Sequence, residues 1–231
     1  MSDVLLAIET ATESCSAALL LGNDVIERSE IAPRRHAELI LPMIESLLAE
    51  AGMTRRRIDG IAVGRGPGAF TGVRLAISVA QGLALGLDVP VVPVSSLAAL
   101  AQDAPTEDLP ILAVIDARMG EIYAGAFRRS GTGLVEPIGE ETVGHAGELV
   151  VPSREDWCVV GSGWSVYRDP LLSRLPREPL RADGARYPQA HSVARLAAPQ
   201  FAAGHAVAPE AALPVYLRDK VALTLEEQRA R

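Results

Sequence analysis

A glycine-rich segment between residues 64 and 72 is the first candidate for chemistry in this sequence. It reads GRGPGAFTG and lies between a predicted strand and a predicted helix, where nucleotide-binding folds place phosphate loops. The segment contains no lysine and fits neither the G-x-x-x-x-G-K-[ST] nor the G-x-G-x-x-G spacing. Three roles therefore stay open: a tight structural turn, a nucleotide or anion site at Gly66, Gly68 and Thr71, or part of an interface.

Two carboxylates, Glu9 and Asp116, stand near the ends of predicted strands in the two halves of the chain. Phosphotransferases keep carboxylates at such positions and use them on phosphates through magnesium and water. If the two halves faced each other, both side chains would line one cleft. A solvated or turn-capping role is the alternative for each of them.

The remaining polar residues form no other recognisable catalytic or metal-binding pattern. The four histidines never stand at the i, i+4 spacing that pairs two imidazoles on one helical face, so we expect no metal and no cofactor. The run GSGWS at 161–165 lacks the G-x-S-x-G spacing of a hydrolase. Cys15 and Cys158 lie outside any CxxC spacing, which suits a reducing cytoplasm.

Local patterns predict the elements that must position these residues. Short apolar runs separated by turn residues predict strands at 4–8, 15–21, 25–31, 58–63 and 89–94. The turn GND at 22–24 predicts a hairpin between the second and third of them. Apolar residues at helical spacing predict helices at 35–51 and 71–86, and Pro42 is expected to bend the first. Ser95 and Ser96 are expected to cap a short helix that runs to about residue 102.

A polar, acidic segment with two prolines at residues 103–110 separates two halves of similar length. We place a boundary there and predict two domains, residues 1–104 and 105–231. A strand at 111–116, a turn and a second strand at 121–127 then repeat the way the chain began, which suggests duplication. Beyond residue 128 the pattern weakens, with a strand at 157–160 and a helix at 191–203.

The helix at 71–86 has very few polar positions. Between residues 73 and 86 the only polar side chains are Arg74, Ser78 and Gln81, which form one narrow stripe. Small residues recur at four-residue spacing and would let another helix approach closely. A helix without a wide polar face predicts that a second side is covered, either by a partner or by the protein's own core.

Composition and charge narrow the class of protein. Hydrophobic residues make up 48% of the 231 residues but aromatic residues only 4%, so we expect α/β layers packed from small aliphatic side chains. The net charge of −7 disfavours tight, independent RNA binding. No basic start precedes an apolar run, and no uninterrupted apolar stretch reaches the ~18 residues of a membrane span. We therefore expect a cytoplasmic protein with no membrane contact.

Six segments together resemble the TsaB family. They are LAIETAT at 6–12, CSAAL at 15–19, HAE at 36–38, GPGAFTGVR at 66–74, DARMGEIY at 116–123 and PVYLR at 214–218. Their order covers nearly the whole chain, and the glycine-phenylalanine-threonine segment is the most specific of them. Residues 128–212 add little that is diagnostic.

The resemblance implies an actin-like ATPase (ribonuclease H-like) fold, with two duplicated subdomains of mixed sheets flanked by helices. It also implies a non-catalytic subunit. TsaB binds and supports TsaD, which together with the ATPase TsaE forms N6-threonylcarbamoyladenosine at position 37 of tRNA. Contact with tRNA would be indirect, through the complex, and the chain alone is expected to form a homodimer.

In this family the two helices of the N-terminal half form the pairing surface, here residues 35–51 and 71–86. The partner-binding residues expected on that basis are His36, Leu39, Ile40, Met43, Val73, Arg74, Ile77, Ala80, Gln81 and Ala84. A charged residue at Ile77 or Ala80 should then weaken pairing without unfolding the domain. One departure is Glu9, where many members have aspartate. The alternative is an active actin-like phosphotransferase or ATPase that uses Glu9 and Asp116 with Mg-ATP.

Overall fold

The computed structural model describes residues 3–218 as two mixed β-sheets with helices around and between them. Residues 1–2 and 219–231 lie outside the described part of the chain, so the end of the predicted second domain does too.

The first sheet is built from a β-meander and two later strands. Its strands are β1 (Val4–Glu9), β2 (Ser14–Leu21), β3 (Asp24–Ile31), β4 (Gly60–Gly64) and β5 (Val91–Val94), in the spatial order β3-β2-β1-β4-β5. The first three strands pair antiparallel, and β1, β4 and β5 pair parallel. Leu21 pairs with Asp24, so the predicted hairpin turns on two residues, with Gly22 at a φ of 67°.

Three helices follow from the local patterns. They are α1 (His36–Glu50), α2 (Phe70–Leu87) and α3 (Ser96–Gln102), each within one residue of its predicted bounds. Pro42 lies inside the 15-residue α1. Ser95 caps α3, since its side chain accepts a hydrogen bond from the backbone N–H of Ala98. Both α1 and α2 cover the same face of the first sheet.

The second sheet repeats the plan of the first. Its strands are β6 (Ile111–Arg118), β7 (Glu121–Arg129), β8 (Val135–Pro137), β9 (Thr142–His145), β10 (Cys158–Val160) and β11 (Arg181–Asp183), in the order β11-β10-β6-β7-β8, with β9 also on β7. As with β1, the first strand β6 pairs antiparallel with the next strand and parallel with a later one. The shared topology confirms the duplicated fold.

The helices of the second half complete the packing around three hydrophobic core clusters. They are α4 (Ser162–Val166), α5 (Arg168–Leu172) and α6 (Ala190–Ala202). Helices α3 and α6 lie between the two sheets: α6 packs mainly on the first sheet and α3 on the second. Successive side chains of strand β1 point to opposite faces of the first sheet. Leu5 and Ala7 face this central core, while Leu6 and Ile8 face α1 and α2. The boundary at residue 104 stays a prediction.

A histidine between two carboxylates connects the layers. The His191 ring on α6 lies 2.9 Å from a Glu27 oxygen on β3 and 3.5 Å from an Asp103 oxygen after α3. Arg186 also donates to Asp103, at 2.7 Å. Hydrogen bonding to Asp103 and to Glu27 raises the pKa of His191 from 6.5 to about 9, so the imidazolium form is favoured in the folded protein.

We expect this cluster to make stability depend on pH. Because the folded pKa of His191 lies above its unfolded value, its stabilisation is fully present below pH 6.5 and is lost as the pH rises through about 9. In urea unfolding, His191→Gln should lower the free energy of unfolding by about 2 kcal/mol at pH 6 and far less at pH 9.5. The exposed His205→Gln variant is the control. A difference that did not change with pH would contradict this account.

Candidate docking face and interlobe cleft

The glycine-rich segment allows α2 to begin directly against the end of β1. A Cβ atom on Gly68 would lie 2.4 Å from the carbonyl oxygen of Ala11, and one on Gly72 would lie 2.1 Å from that of Thr10. The Thr10 hydroxyl donates to the Gly72 carbonyl at 2.7 Å. These contacts exclude any larger residue at both glycines and give the segment a packing role.

The predicted anion-binding residues lie near this contact. Gly66 has a φ of 85°, which favours glycine. Gly68 lines a cleft, and Thr71 is exposed on the first turn of α2. Anion binding by these three residues stays a prediction.

Helix α2 has an inner and an outer side. Four of its inner side chains pack on the first sheet, namely Ala76, Ile77, Ala80 and Ala84, and Val73 is buried beside the cleft lining at its first turn. Its outer side carries exposed residues: Phe70, Thr71, Arg74, Ser78, Gly82, Leu85 and Gly86. The helix thus presents two sides with different neighbours, and both are rich in apolar or small residues.

This arrangement corrects half of the predicted partner-binding residues. Ile40, Val73, Ile77, Ala80 and Ala84 are at most 4% exposed, and their side chains form part of the protein's own core. They cannot contact a partner in this conformation. The sequence could not show this, because an almost uniformly apolar helix does not reveal which side meets the sheet.

The other five predicted residues are at least partly accessible. Leu39 and Met43 are half-buried at the edge of the core under α1 and α2. Arg74 is exposed, whereas Gln81 donates to the Ala212 carbonyl at 3.1 Å. The His36 ring nitrogen lies 2.9 Å from the Thr12 carbonyl oxygen, which holds the start of α1 close to β1.

Further apolar residues, absent from the sequence prediction, complete an outer surface on the two helices. Leu41, Phe70 and Leu85 are 49%, 51% and 66% exposed, and Val79 and Leu83 are half-buried. We call the outer residues of α1 and α2 the docking face: Leu39, Leu41, Met43, Phe70, Arg74, Ser78, Val79, Gly82, Leu83 and Leu85. Exposed apolar residues on two helices that cover the same face of a sheet make a candidate interaction surface.

By length and composition alone, α2 would also be able to cross a membrane, with a mean hydropathy of 1.4 over its 18 residues. A third of this helix is buried against the sheet. Core helices of folded domains have the same length and composition.

An interlobe cleft of about 740 Å³ opens beside the docking face. It lies between the loop after β1, the first turns of α1 and α2, the end of β6 and the segment 215–218. Four arginines line it: Arg34, Arg74, Arg118 and Arg218. Two are engaged with carboxylates, since Arg118 pairs with both Glu13 and Asp116 and Arg218 pairs with Glu121.

The two carboxylates expected to share a cleft have different surroundings. Asp116 lines the cleft, where it accepts hydrogen bonds from Arg118 and from the Tyr167 hydroxyl. Glu9 is completely buried and does not line the cleft. The prediction of a shared site is therefore wrong for Glu9.

The Glu9 carboxylate is enclosed by its neighbours. It accepts from the Ala11 N–H and from the Ser96 hydroxyl, both at 2.7 Å. A Cβ on Gly64 would lie 2.0 Å from the carboxylate, so Gly64 leaves just enough room for it. Burial raises the pKa of Glu9, although the hydrogen bonds from Ser96 and Ala11 oppose this effect.

Metal-binding and thiol chemistry have little support in the described residues. Within residues 3–218, no group of three or more His, Cys, Asp or Glu side chains is placed to hold a metal ion. Cys15 and Cys158 are free and buried, and burial raises the pKa of each thiol to about 11. Such thiols are poor nucleophiles near neutral pH.

Comparison with known sequences supplies the family. A model described as TsaD, tRNA N6-adenosine threonylcarbamoyltransferase, matches residues 20–224. The tRNA threonylcarbamoyladenosine biosynthesis protein TsaB of Escherichia coli K12 is 41% identical over 225 residues, which are 94% of this chain and 96% of that protein. The Haemophilus influenzae protein of the same name is 36% identical over 229 residues, 94% of either chain.

Solved structures agree with these relatives. YeaZ from Pseudomonas aeruginosa matches with a TM-score of 0.86 at 44% identity, over 94% of this chain and 100% of the other. A second structure from that organism, described as an uncharacterized protein with similarity to peptidase YEAZ, matches with the same TM-score and coverage at 43% identity.

Two mixed sheets of repeated topology, flanked by helices, define a protein of the actin-like ATPase (ribonuclease H-like) fold. This fold confirms the expected class. Within it, the chain belongs to the TsaD-like threonylcarbamoyltransferase family, among the TsaB proteins of tRNA threonylcarbamoyladenosine biosynthesis. The resemblance found in the six sequence segments is confirmed, and the role in this biosynthesis follows from it.

Proposed function

We propose that the chain is a non-catalytic subunit that binds and supports TsaD through the docking face. TsaE completes the assembly, and a second copy of the chain covers the same face when TsaD is absent. The exposed apolar outer side of α1 and α2 is the observation that carries this proposal. A cytoplasmic location, where tRNA is modified, is part of it.

The docking face has the character of a protein interface. Leu41 and Leu85 are 49% and 66% exposed on neighbouring helices, and small residues such as Ser78 and Gly82 let another helix approach α2 closely. A specific complex buries about 1,200 to 2,000 Å² in total, an area that the outer sides of two helices of 15 and 18 residues are long enough to supply. The net charge of −7 favours indirect rather than direct contact with tRNA.

The surroundings of the two candidate carboxylates support a non-catalytic role for the chain. Glu9 is enclosed between Gly64, Ser96 and the backbone of Ala11, where no substrate or hydrated magnesium ion has access. Asp116 forms an ion pair with Arg118, and the guanidinium partly neutralises the carboxylate that a ligand in the cleft would meet. Neither carboxylate is free to coordinate a metal–phosphate complex.

We expect Glu9→Gln to preserve function. The amide has the same shape, its oxygen can accept from Ala11, and its nitrogen can donate to the Ser96 hydroxyl. Because burial raises the pKa of Glu9, removing the charge should leave the free energy of unfolding at pH 7 unchanged or increase it. In a reconstituted tRNA modification assay the variant should match the parent. A loss of modification greater than about tenfold, with the fold intact, would favour the ATPase alternative instead.

The central experiment combines binding and activity. The chain should co-purify with TsaD, and a modification assay with TsaD and TsaE should form threonylcarbamoyladenosine only when the chain is added. Full modification without the chain, or no detectable complex with TsaD, would overturn the proposal. Light scattering of the isolated chain tests the homodimer.

A further inference from the structure

A preorganised arginine stands at one end of the docking face. The guanidinium carbon of Arg74 lies 3.5 Å from the ring centroid of Phe70 and 5.4 Å from that of Tyr216. Its Nε–H donates to the Tyr216 hydroxyl at 2.7 Å. Stacking and hydrogen bonding hold the guanidinium in place, so little side-chain entropy is lost when it binds a further group.

The charge of Arg74 is not neutralised by its neighbours. Both rings are uncharged, and Arg74 forms no ion pair with a carboxylate among residues 3–218. The cleft adds a second positive charge nearby, because Arg34 is exposed and likewise has no carboxylate partner in the described chain. In a protein of net charge −7, this is an unusual local excess of positive charge.

The rings around the guanidinium are also uncovered. Phe70 is 51% exposed and Tyr216 is 50% exposed. Phe70, Arg74 and Leu85 follow one another along the outer side of α2. Arginine, tyrosine and tryptophan dominate the binding energy of protein interfaces when a partner excludes water from them. The cluster therefore has the composition of a binding hot spot at this end of the docking face.

We propose that Phe70, Arg74 and Tyr216 form a carboxylate-binding site of the docking face, which receives an aspartate or glutamate side chain of TsaD. This inference rests on the proposed function. With Nε engaged by Tyr216, the two terminal nitrogens present a planar fork that matches the two oxygens of a carboxylate. A small phosphate would satisfy the charge but would leave both rings and Leu85 exposed, whereas a protein partner covers all of them together.

Binding of TsaD to purified full-length variants tests the proposal. Arg74→Gln should raise the Kd about thirtyfold or more, measured by calorimetry. Arg74→Lys should not restore the affinity, because an ammonium lacks the planar fork. Arg154→Gln, an exposed arginine of the second half, is the matched control and should bind as the parent does. Thermal unfolding of Arg74→Gln within about two degrees of the parent would show that the fold is kept.

The outcomes separate this proposal from the one it rests on. If the parent chain does not bind TsaD, the proposed function fails. If the parent binds TsaD and Arg74→Gln binds equally well, only the carboxylate site is wrong. Inorganic phosphate serves as a second probe: stabilisation by phosphate that is lost in Arg74→Gln, with unchanged affinity for TsaD, would assign Arg74 to a small anion and also overturn the proposal.

Discussion

Replacing Leu85 by glutamate should weaken binding to TsaD about a hundredfold or more. Leu85 is 66% exposed on the outer side of α2, in line with Arg74 and Ser78 along the helix. In the complex, the variant would lose apolar contact area and bury an unpaired carboxylate, which together cost ~3 kcal/mol. Titration of TsaD with the purified variant measures the change in Kd.

The fold should tolerate the same replacement. Because the Leu85 side chain has little contact with the core, we expect the free energy of unfolding to change by less than about 1 kcal/mol. Leu85→Met keeps the apolar volume and is the control at this position, with an affinity close to that of the parent. Unchanged binding by Leu85→Glu would place the TsaD contact elsewhere on the molecule.

Replacing Ile77 by glutamate should instead destabilise the fold itself. Ile77 is 4% exposed and packs in the core cluster under α1 and α2. A carboxylate there would be buried without a partner, and we expect the free energy of unfolding to fall by about 4 kcal/mol or more. Natural domains have only about 5 to 15 kcal/mol of stability, so a large part of it would be lost. Urea unfolding followed by circular dichroism measures this.

This expectation replaces the earlier one that a charge at Ile77 or Ala80 would impair pairing alone. Both side chains face the sheet, with Ala80 completely buried. Ile77→Val, which removes one methylene group from the same site, should cost only about 1 kcal/mol. If Ile77→Glu folded as stably as the parent, the inner side of α2 would have been assigned incorrectly.

The two glutamate variants test the assignment of the outer and inner sides of α2: one should impair binding and the other folding. Leu85→Glu separates binding from folding, while Ile77→Glu cannot. Binding data from the Ile77 variant would have no meaning without a stability measurement. Variants designed from the family pattern alone would have confused the two effects.

Much of the fold was predictable from local patterns. The hairpin at Gly22 and the helices α1 and α2 were predicted within one or two residues of their observed bounds. Each rests on turn residues or on a repeat of apolar positions, which are properties of neighbouring residues. The restart after Pro110 correctly indicated duplication. Beyond residue 128 the strands are only three or four residues long, too short for a periodic pattern, and β8, β9 and β11 were missed.

The candidate site was predictable only in part. The sequence indicated α1 and α2 and included Arg74, but it missed Phe70, Leu85 and Tyr216 as partners in one surface. Tyr216 stands 142 residues after Arg74, so no spacing rule connects them. The PVYLR segment was visible only as part of the family resemblance.

What the sequence by itself determined is the duplicated α/β fold, the TsaB family and the unusual apolarity of α2, because these follow from residue types and their local order. Tertiary structure alone decided which side of α2 is buried, that Glu9 is enclosed beside Gly64, and that Arg74 meets Tyr216. These features depend on contacts between residues far apart in the chain. The exposure of a side chain and its hydrogen-bond partners are set by the sheets and helices packed around it, and local sequence does not specify that packing.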